Sequence, residues 1–445
     1  MGKNIKYVLL NFVLFIMCYA MQIVKITFVK EVLNNMAQIE VLFISSLCSE
    51  SKYKWITEIR TVPSLDPVQR MFHGITVGLK ENGCNVMCVS ALPMGTSNTD
   101  AAHMMFARSE EIENGIHYIY PMFRIGKIRR LLDLRKNVQK EVRAWIHSTE
   151  GKKRFIICDS LLAMCTRSVR RLAQRNGIKV FAYVTDYPSM ATSIKQQNVN
   201  LLQKNLQRAY DKYADWDLKK YDGYILVAEA LKDLIGFKNK SYIVIEDVIA
   251  TQKLRKIFSK DDDTLFTVVY GGALCERFGV NKLADAVRKI PQKNLRLCFY
   301  GSGESVEYIE KLCIKDSRIR YCGQVSFEQL QDIQMKANLL VNPRPSNESF
   351  AAYSFPSKTL SYMLSGTPVL TTRIPGIPPS YQQYLLWFDE EDVDSMAKKI
   401  EEIMNTSPTK LKKIGERAYM YVRNEKNSLA QSAKLLSFVE REING

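Results

Sequence analysis

Arg344 and Lys358 flank a stretch, Leu339 to Thr372, that reads LLVNPRPSNESFAAYSFPSKTLSYMLSGTPVLTT. A planar guanidinium fork and a point-charge ammonium are the side chains best suited to clamp a polyphosphate. The residues around them predict a place for one. Leu339–Val341 is a short apolar run that reads as a buried strand, and Pro343, Pro345, Ser346 and Asn347 break regular structure after it. Pro356 sits where the first turn of a helix tolerates it. Ser354 and Ser357 offer caps, and Leu360, Met363 and Leu364 recur at helical spacing until Gly366. Pro368–Thr371 reads as the next strand. A strand, a polar loop and a helix start at the carboxyl edge of a parallel sheet form an anion site, because unpaired amides and the helix dipole face outward there.

That edge must be built by other elements. Phe266–Tyr270, Leu295–Tyr300 and Ile319–Cys322 are apolar runs that end in Gly271-Gly272, Gly301-Ser302-Gly303 and Gly323-Gln324-Val325. Asn281–Ile290 reads as a helix between the first two, and Ser326 with Gln329 forms a capping box for another. Three successive strand ends thus bring glycine-rich turns to the edge that carries Arg344 and Lys358, which is stronger evidence for a phosphate site than any one glycine pair. An earlier series alternates in the same way. Ile39–Ile44, Asn85–Ser90, Arg154–Cys158 and Lys179–Thr185 read as strands, and Asp66-Pro67 starts a helix carrying Val68, Phe72, Ile75 and Leu79. Asp159 and Asp186 fall at strand carboxyl ends, where ligands of doubly wound sheets sit. Tyr224–Val227 and Tyr242–Glu246 complete this series, the charged Thr251–Asp263 reads as a hinge, and a last helix, Asn427–Glu440, carries Leu429, Ala433, Leu436 and Val439.

Length and charge narrow the partners. With 445 residues the chain exceeds one ordinary core and fits two or three domains. The net charge of +17 points to anionic partners: membranes, nucleic acid or phosphorylated substrates. No aromatic and glycine motif of a nucleic-acid reader accompanies it, so no nucleic acid is expected. Basic residues are densest in 124–143, where Ile128, Leu131, Leu132, Val138 and Val142 mark an apolar helical stripe. Such a helix either lies on anionic lipid or is a surface helix with a solvated basic face. Tyr7–Val24 is apolar apart from Asn11 and Gln22 and is close to the length of a membrane span. It reads as an anchor, an uncleaved signal-like helix, or sequence upstream of a start at Met36. Ten scattered cysteines and four distant histidines write no zinc constellation, and His73 and His117, with no motif around them, read as structural or surface residues.

The stretch NPR, YSFPSK and SGTPVL, together with Tyr270-Gly271-Gly272, Tyr300-Gly301-Ser302-Gly303 and Thr185-Asp186-Tyr187-Pro188, resembles the retaining glycosyltransferases of family 4. More narrowly, it resembles the bacterial branch that builds capsule, exopolysaccharide or O-antigen repeats. The likeness extends from Ile39 to the C-terminus. It implies an α/β GT-B fold: two Rossmann-like doubly wound domains facing across a cleft, with the C-terminal helix crossing back onto the first. The expected division is an apolar extension or anchor (1–36), an acceptor-binding domain (37–250), a hinge (251–263), a donor-binding domain (264–420) and the returning helix (421–445).

The resemblance implies transfer of a hexose or related sugar from a UDP- or GDP-sugar to a lipid-linked or glycan acceptor, at the cytoplasmic face of a membrane whose anionic surface is a further partner. The donor would be held by Gly271, Gly272, Arg277, Gly301, Gly303, Gln324, Val325, Arg344, Tyr353, Ser354, Ser357, Lys358 and Ser361. Asp186 and Glu348 are the catalytic candidates: Asp186 to orient acceptor or sugar hydroxyls, Glu348 to contact the transferring sugar. Alignment on Gly366 puts Tyr353 and Ser361 where the wider family has two glutamates, and Ser361 stands in the place of the one that usually holds the ribose. Ala273 and Phe278 stand where the family has an arginine and a lysine, with Arg277 beside the second. Nothing resembles the aspartate pair that holds a metal in the other glycosyltransferase fold, so no metal is expected, and no cofactor, the nucleotide-sugar being a substrate. The alternative is a non-catalytic GT-B subunit that binds a partner or a glycan.

Overall fold

The computed structural model describes residues 39–444 apart from 62–66, 97, 100–102, 194–200, 238 and 251–264. The expected N-terminal anchor and hinge lie outside the described residues. Among those described, no helix is long and apolar enough to cross a membrane.

The first half alternates strands and helices as its apolar runs predict. In order come β1 (Ile39–Ser45), α1 (Glu50–Ile59), α2 (Pro67–Glu81), β2 (Asn85–Ser90), β3 (Met105–Phe106), β4 (Ser109–Glu113), β5 (Ile116–Tyr120), β6 (Phe123–Arg124) and α3 (Lys127–Ser148). Then follow β7 (Lys153–Asp159), α4 (Ala163–Arg175), β8 (Val180–Val184), α5 (Pro188–Ser193), α6 (Leu201–Leu218), β9 (Gly223–Leu226), α7 (Leu231–Ile235) and β10 (Ser241–Val244). Eight strands form one sheet in the order β10-β9-β8-β7-β1-β2-β5-β4. All pairings are parallel except β4 with β5. The central strands are covered on both faces, which is why they read as continuous apolar runs. Edge strand β4 instead alternates half-buried and exposed positions and carries Glu110, Glu111 and Glu113, charges that blunt an open edge.

The second half repeats the plan with β11 (Phe266–Gly271), α8 (Val280–Lys289), β12 (Leu295–Tyr300), α9 (Val306–Lys315), β13 (Ile319–Tyr321), α10 (Phe327–Lys336) and β14 (Leu339–Asn342). After them come α11 (Lys358–Leu364), β15 (Val369–Thr371), β16 (Leu386–Trp387), α12 (Val393–Met404), α13 (Pro408–Glu425) and α14 (Ser428–Asn444). Its six parallel strands run β13-β12-β11-β14-β15-β16. The order reverses at β1 in the first sheet and at β11 in the second, so the crevices open beyond Ser45 and beyond Gly271.

The chain then returns. Leu435, Leu436, Phe438 and Val439 of α14 belong to the core of the first domain. Gly78 of α2 lets the two helices meet, since a Cβ there would strike the Ser428 backbone, and Ser432 Oγ donates to Ile75 O at 3.0 Å. Leu429, expected in the apolar stripe, is instead 45% exposed, because the buried face is made by the pairs at 435–436 and 438–439. At the junction Ile249 N–H donates to Lys426 O and Ser428 N–H to Ile249 O, while the buried Lys426 Nζ donates to Glu246 Oε2 at 2.8 Å.

The basic segment expected over 124–143 also changes shape. Arg124 lies in β6, the helix starts at Lys127, and its stripe divides. Val138 and Val142 are core, whereas Ile128 and Leu132 are exposed.

Candidate anion site and interdomain cleft

The register between β11 and β14 pairs Val268 with Leu339 and Val269 with Leu340. Both strands therefore deliver their carboxyl ends, Gly271-Gly272 and Asn342 to Arg344, to one place. The glycine turns are stitched to each other. Gly272 N–H donates to Tyr300 O, Leu274 N–H to Ser302 O and Gly301 N–H to Gly323 O, each at 2.8 Å, and Gln324 Nε2 donates to Ser302 Oγ at 2.5 Å. Gly272 has φ +138°, a conformation that favours glycine, and a Cβ there would fall on the Lys358 side chain.

Lys358, the first residue of α11, is half-buried as a whole, but its ammonium is turned inward. Nζ donates to Tyr270 Oη at 2.5 Å and lies 4.1 Å from the centroid of that ring, and Tyr270 Oη donates on to Ala273 O at 2.7 Å. Burial, with the Arg344 guanidinium in second place, pushes the Lys358 ammonium down to about 7. Arg344 is 7% exposed, and its Nε and Nη2 are buried without a hydrogen-bond partner; the Phe350 ring covers its guanidinium at 4.4 Å. Burial holds Arg344 at about 10, with Arg277 opposing its charge and Glu348 and Asp186 favouring it. Asn342 Nδ2, two residues earlier, is likewise buried and unpartnered. A buried cation without partners costs several kcal/mol, and an anion accepting from Arg344, Lys358 and Asn342 would remove that cost.

The expected site residues thus fall into groups. Gly271, Gly272, Gly301, Gly303, Arg344 and Lys358 meet at one edge, Arg277 is exposed beside it, and Asp186 and Glu348 act on Arg344 from the two domains. Exposed Gln324 and half-buried Val325 follow the third glycine turn. Ser357 and Ser361 line a cleft between the domains, but Ser361 Oγ is spent on Lys358 O at 2.9 Å. Tyr353, at the end of the 3-10 turn Ala351–Tyr353, packs against the core of the first domain. Ser354 closes that turn at its C-terminal end with an extended backbone. Nor does Ser357 cap α11: its backbone is already helical, and a capping side chain needs an extended one.

The cleft measures about 440 Å³. Its first-domain wall carries Glu50, Gln69, Arg70, His73 and Asp247, and its second-domain wall carries Phe327, Glu328 and Gln331. Arg70 crosses the gap, its guanidinium carbon 4.7 Å from the centroid of the Phe327 ring. His73, read as structural or surface from sequence, lies 6% exposed on this wall with Nε2 4.0 Å from Glu50 Oε1. Burial pushes the Asp247 carboxyl up to about 7, moderated by a bond from its neighbour Val248 N–H. Sequence reasoning missed Asp247, although its place just past the carboxyl end of β10 is the signal that drew attention to Asp159 and Asp186. Asp159 itself caps the turn after β7, accepting from Leu161 N–H at 3.0 Å.

Residues 266–406, all in the second domain, match the family model described as glycosyl transferases group 1. No curated protein matches the chain. Among solved structures it is similar to sucrose-phosphate synthase from Thermosynechococcus elongatus, at 16% identity and TM-score 0.58 over 90% of this chain and 98% of that one. The catalytic domain of starch synthase IV from Arabidopsis thaliana bound to ADP and acarbose gives 12% and 0.61, over 91% and 99%. HepE of Anabaena in complex with UDP gives 12% and 0.57, over 90% and 100%. The architecture is the GT-B fold.

Proposed function

We propose that this chain is a retaining glycosyltransferase that moves a hexose or related sugar from a UDP- or GDP-sugar to a lipid-linked glycan intermediate of cell-surface polysaccharide, at the cytoplasmic face of a membrane. The observation that carries this reading is the buried, unpartnered Arg344 beside Lys358 at the glycine-lined switch point of the second sheet. Two buried cations that repel each other suit a bound diphosphate, and two of the structural neighbours hold nucleoside diphosphates, ADP and UDP. The match of residues 266–406 to group 1 transferases supports the same reaction class.

In the reaction an acceptor hydroxyl oxygen bonds to the anomeric carbon, the bond from that carbon to the diphosphate breaks, and its electron pair leaves with the diphosphate. The hydroxyl proton passes to the departing phosphate oxygen. Arg344, Lys358 and Arg277 spread the charge of the leaving group, which is the largest electrostatic demand of the step, so the reading assigns it no metal. Asp186 orients hydroxyls from the first domain and Glu348 contacts the transferring sugar. Closure of the cleft keeps water out.

A second reading, a non-catalytic GT-B subunit that binds a partner or a glycan, is motivated by Tyr353, Ser361, Ala273 and Phe278. Nucleotide release from a panel of nucleotide-sugars with membrane extract as acceptor decides between them. The transferase reading expects UDP or GDP release that Arg344→Met lowers at least tenfold while melting temperature rises, since a buried charge whose desolvation outweighs its carboxylate neighbours is removed. A folded protein that binds glycan and releases no nucleotide would establish the second reading instead.

A further inference from the structure

The outward face of α3 is built as a single stripe. Ile128, Leu132, Lys136, Lys140 and Arg143 follow one another at steps of four, four, four and three, the spacing that keeps side chains on one side of a helix. Ile128 is 73% and Leu132 57% exposed, and the three cations after them are exposed as well. The adjoining ribbon extends the apolar end. Met105 pairs across from Arg124, Ile125 N–H donates to Met104 O at 2.8 Å, and both methionines project to solvent at 61% and 55% exposure. Phe106 and Phe123 meanwhile stack inward at 5.1 Å. Four large apolar side chains are thus exposed on the start of α3 and on the ribbon that adjoins it, followed along the helix by a row of cations.

The acidic residues of α3 do not offset that row. Asp133 accepts from Arg124 Nε at 2.9 Å, and the buried Glu141 accepts from Arg108 Nε at 2.8 Å. Both carboxylates are turned to arginines outside the helix, Arg124 in β6 and Arg108 between β3 and β4, so the outer face of the helix is cationic. A folded core gains nothing from leaving Met104, Met105, Ile128 and Leu132 in water, and an exposed apolar cluster of this kind marks a docking surface. The charge decides its occupant. A protein surface with matching acids would suit the cations alone, whereas a bilayer with anionic headgroups suits a mixed face, taking apolar side chains below the headgroups and cations among them.

We propose that Met104, Met105, Ile128 and Leu132 enter an anionic bilayer while Lys136, Lys140 and Arg143 engage its headgroups. The proposal rests on the lipid-linked acceptor read above and places the contact on the first domain, the half that would receive that acceptor.

Hydroxyl-radical footprinting of the full chain tests it, with vesicles of phosphatidylcholine alone or with added phosphatidylglycerol. Oxidation of Met104 and Met105 is expected to slow about threefold or more on the anionic vesicles alone, while Met420, 46% exposed in the second domain, is unchanged. The triple variant K136E/K140E/R143E and the double variant I128S/L132S should each lose that protection and still bind UDP, which reports an intact fold. Unprotected methionines overturn the proposal. So does protection that appears without vesicles and grows with protein concentration, which makes the occupant a second copy. Turnover is measured apart, as nucleotide release from the nucleotide-sugar panel with membrane extract as acceptor: methionines protected in a protein without turnover would sink the transferase reading and leave the docking surface standing.

Discussion

Lys358 lays its ammonium in the space that a side chain at residue 272 would fill: a Cβ added to Gly272 would stand 2.5 Å from Nζ. The glycine and the lysine are therefore one device, with the turn kept bare so that the cation can reach inward over the end of β11. Gly272→Ala should displace Lys358 and also strain a backbone at φ +138°. The expected result is a loss of donor turnover of at least about tenfold with a stability loss of only about 1–2 kcal/mol, read by kinetics and thermal melting on one sample. Full turnover would mean that the ammonium has no part in binding the donor.

The depressed Lys358 makes donor binding depend on pH. With about 7 in the folded protein against 10.5 for the free side chain, the folded state holds fewer protons than the unfolded one between those values. Stability should therefore rise with pH across that window, and the destabilisation should be fully present below pH 7. A diphosphate favours the ammonium, so UDP binding at pH 8 should take up a proton and weaken toward pH 9. Calorimetry in buffers of different ionisation enthalpy reads the uptake. Lys358→Arg, charged throughout, should abolish it; persistent uptake would assign the proton to another group.

Ser361 gives its hydroxyl to Lys358 O and so offers the cleft little. A carboxylate there could accept from both ribose hydroxyls, and Ser361→Glu should tighten UDP or GDP by about tenfold. Weaker binding in titration calorimetry would show that the ribose is held elsewhere along the wall shared with Glu328.

The return of α14 depends on a helix crossing with no room for a methyl group. Gly78→Ala would drive a Cβ into the Ser428 backbone, and neither helix can shift without breaking the Ser432 to Ile75 bond. An unfolding cost of about 2–3 kcal/mol is expected, measured by denaturant titration. An unchanged midpoint would mean that the helix is not held to the first domain in this way.

Local pattern was enough for the architecture. Short, mostly apolar runs such as Ile39–Ile44 and Leu295–Tyr300, each ending in turn residues, read as buried strands, and glycines where such runs end mark turns that approach one another closely. Arg344 and Lys358 were legible for the same reason: each lies within a few residues of the strand or helix that aims it. Local pattern could not say which side of a helix would find a partner. The stripe of α3 looks uniform in sequence, yet Val138 and Val142 go to the core of the first domain and Ile128 and Leu132 to solvent, because that core reaches only part of the helix. His73 and Asp247 stand 174 positions apart in the chain and face one cleft only after β1 and β10 take their places in the sheet. The chain placed its cations by spacing; only packing decided that Arg344 would lie buried with its Nε and Nη2 unpartnered, since desolvation comes from residues distant in sequence.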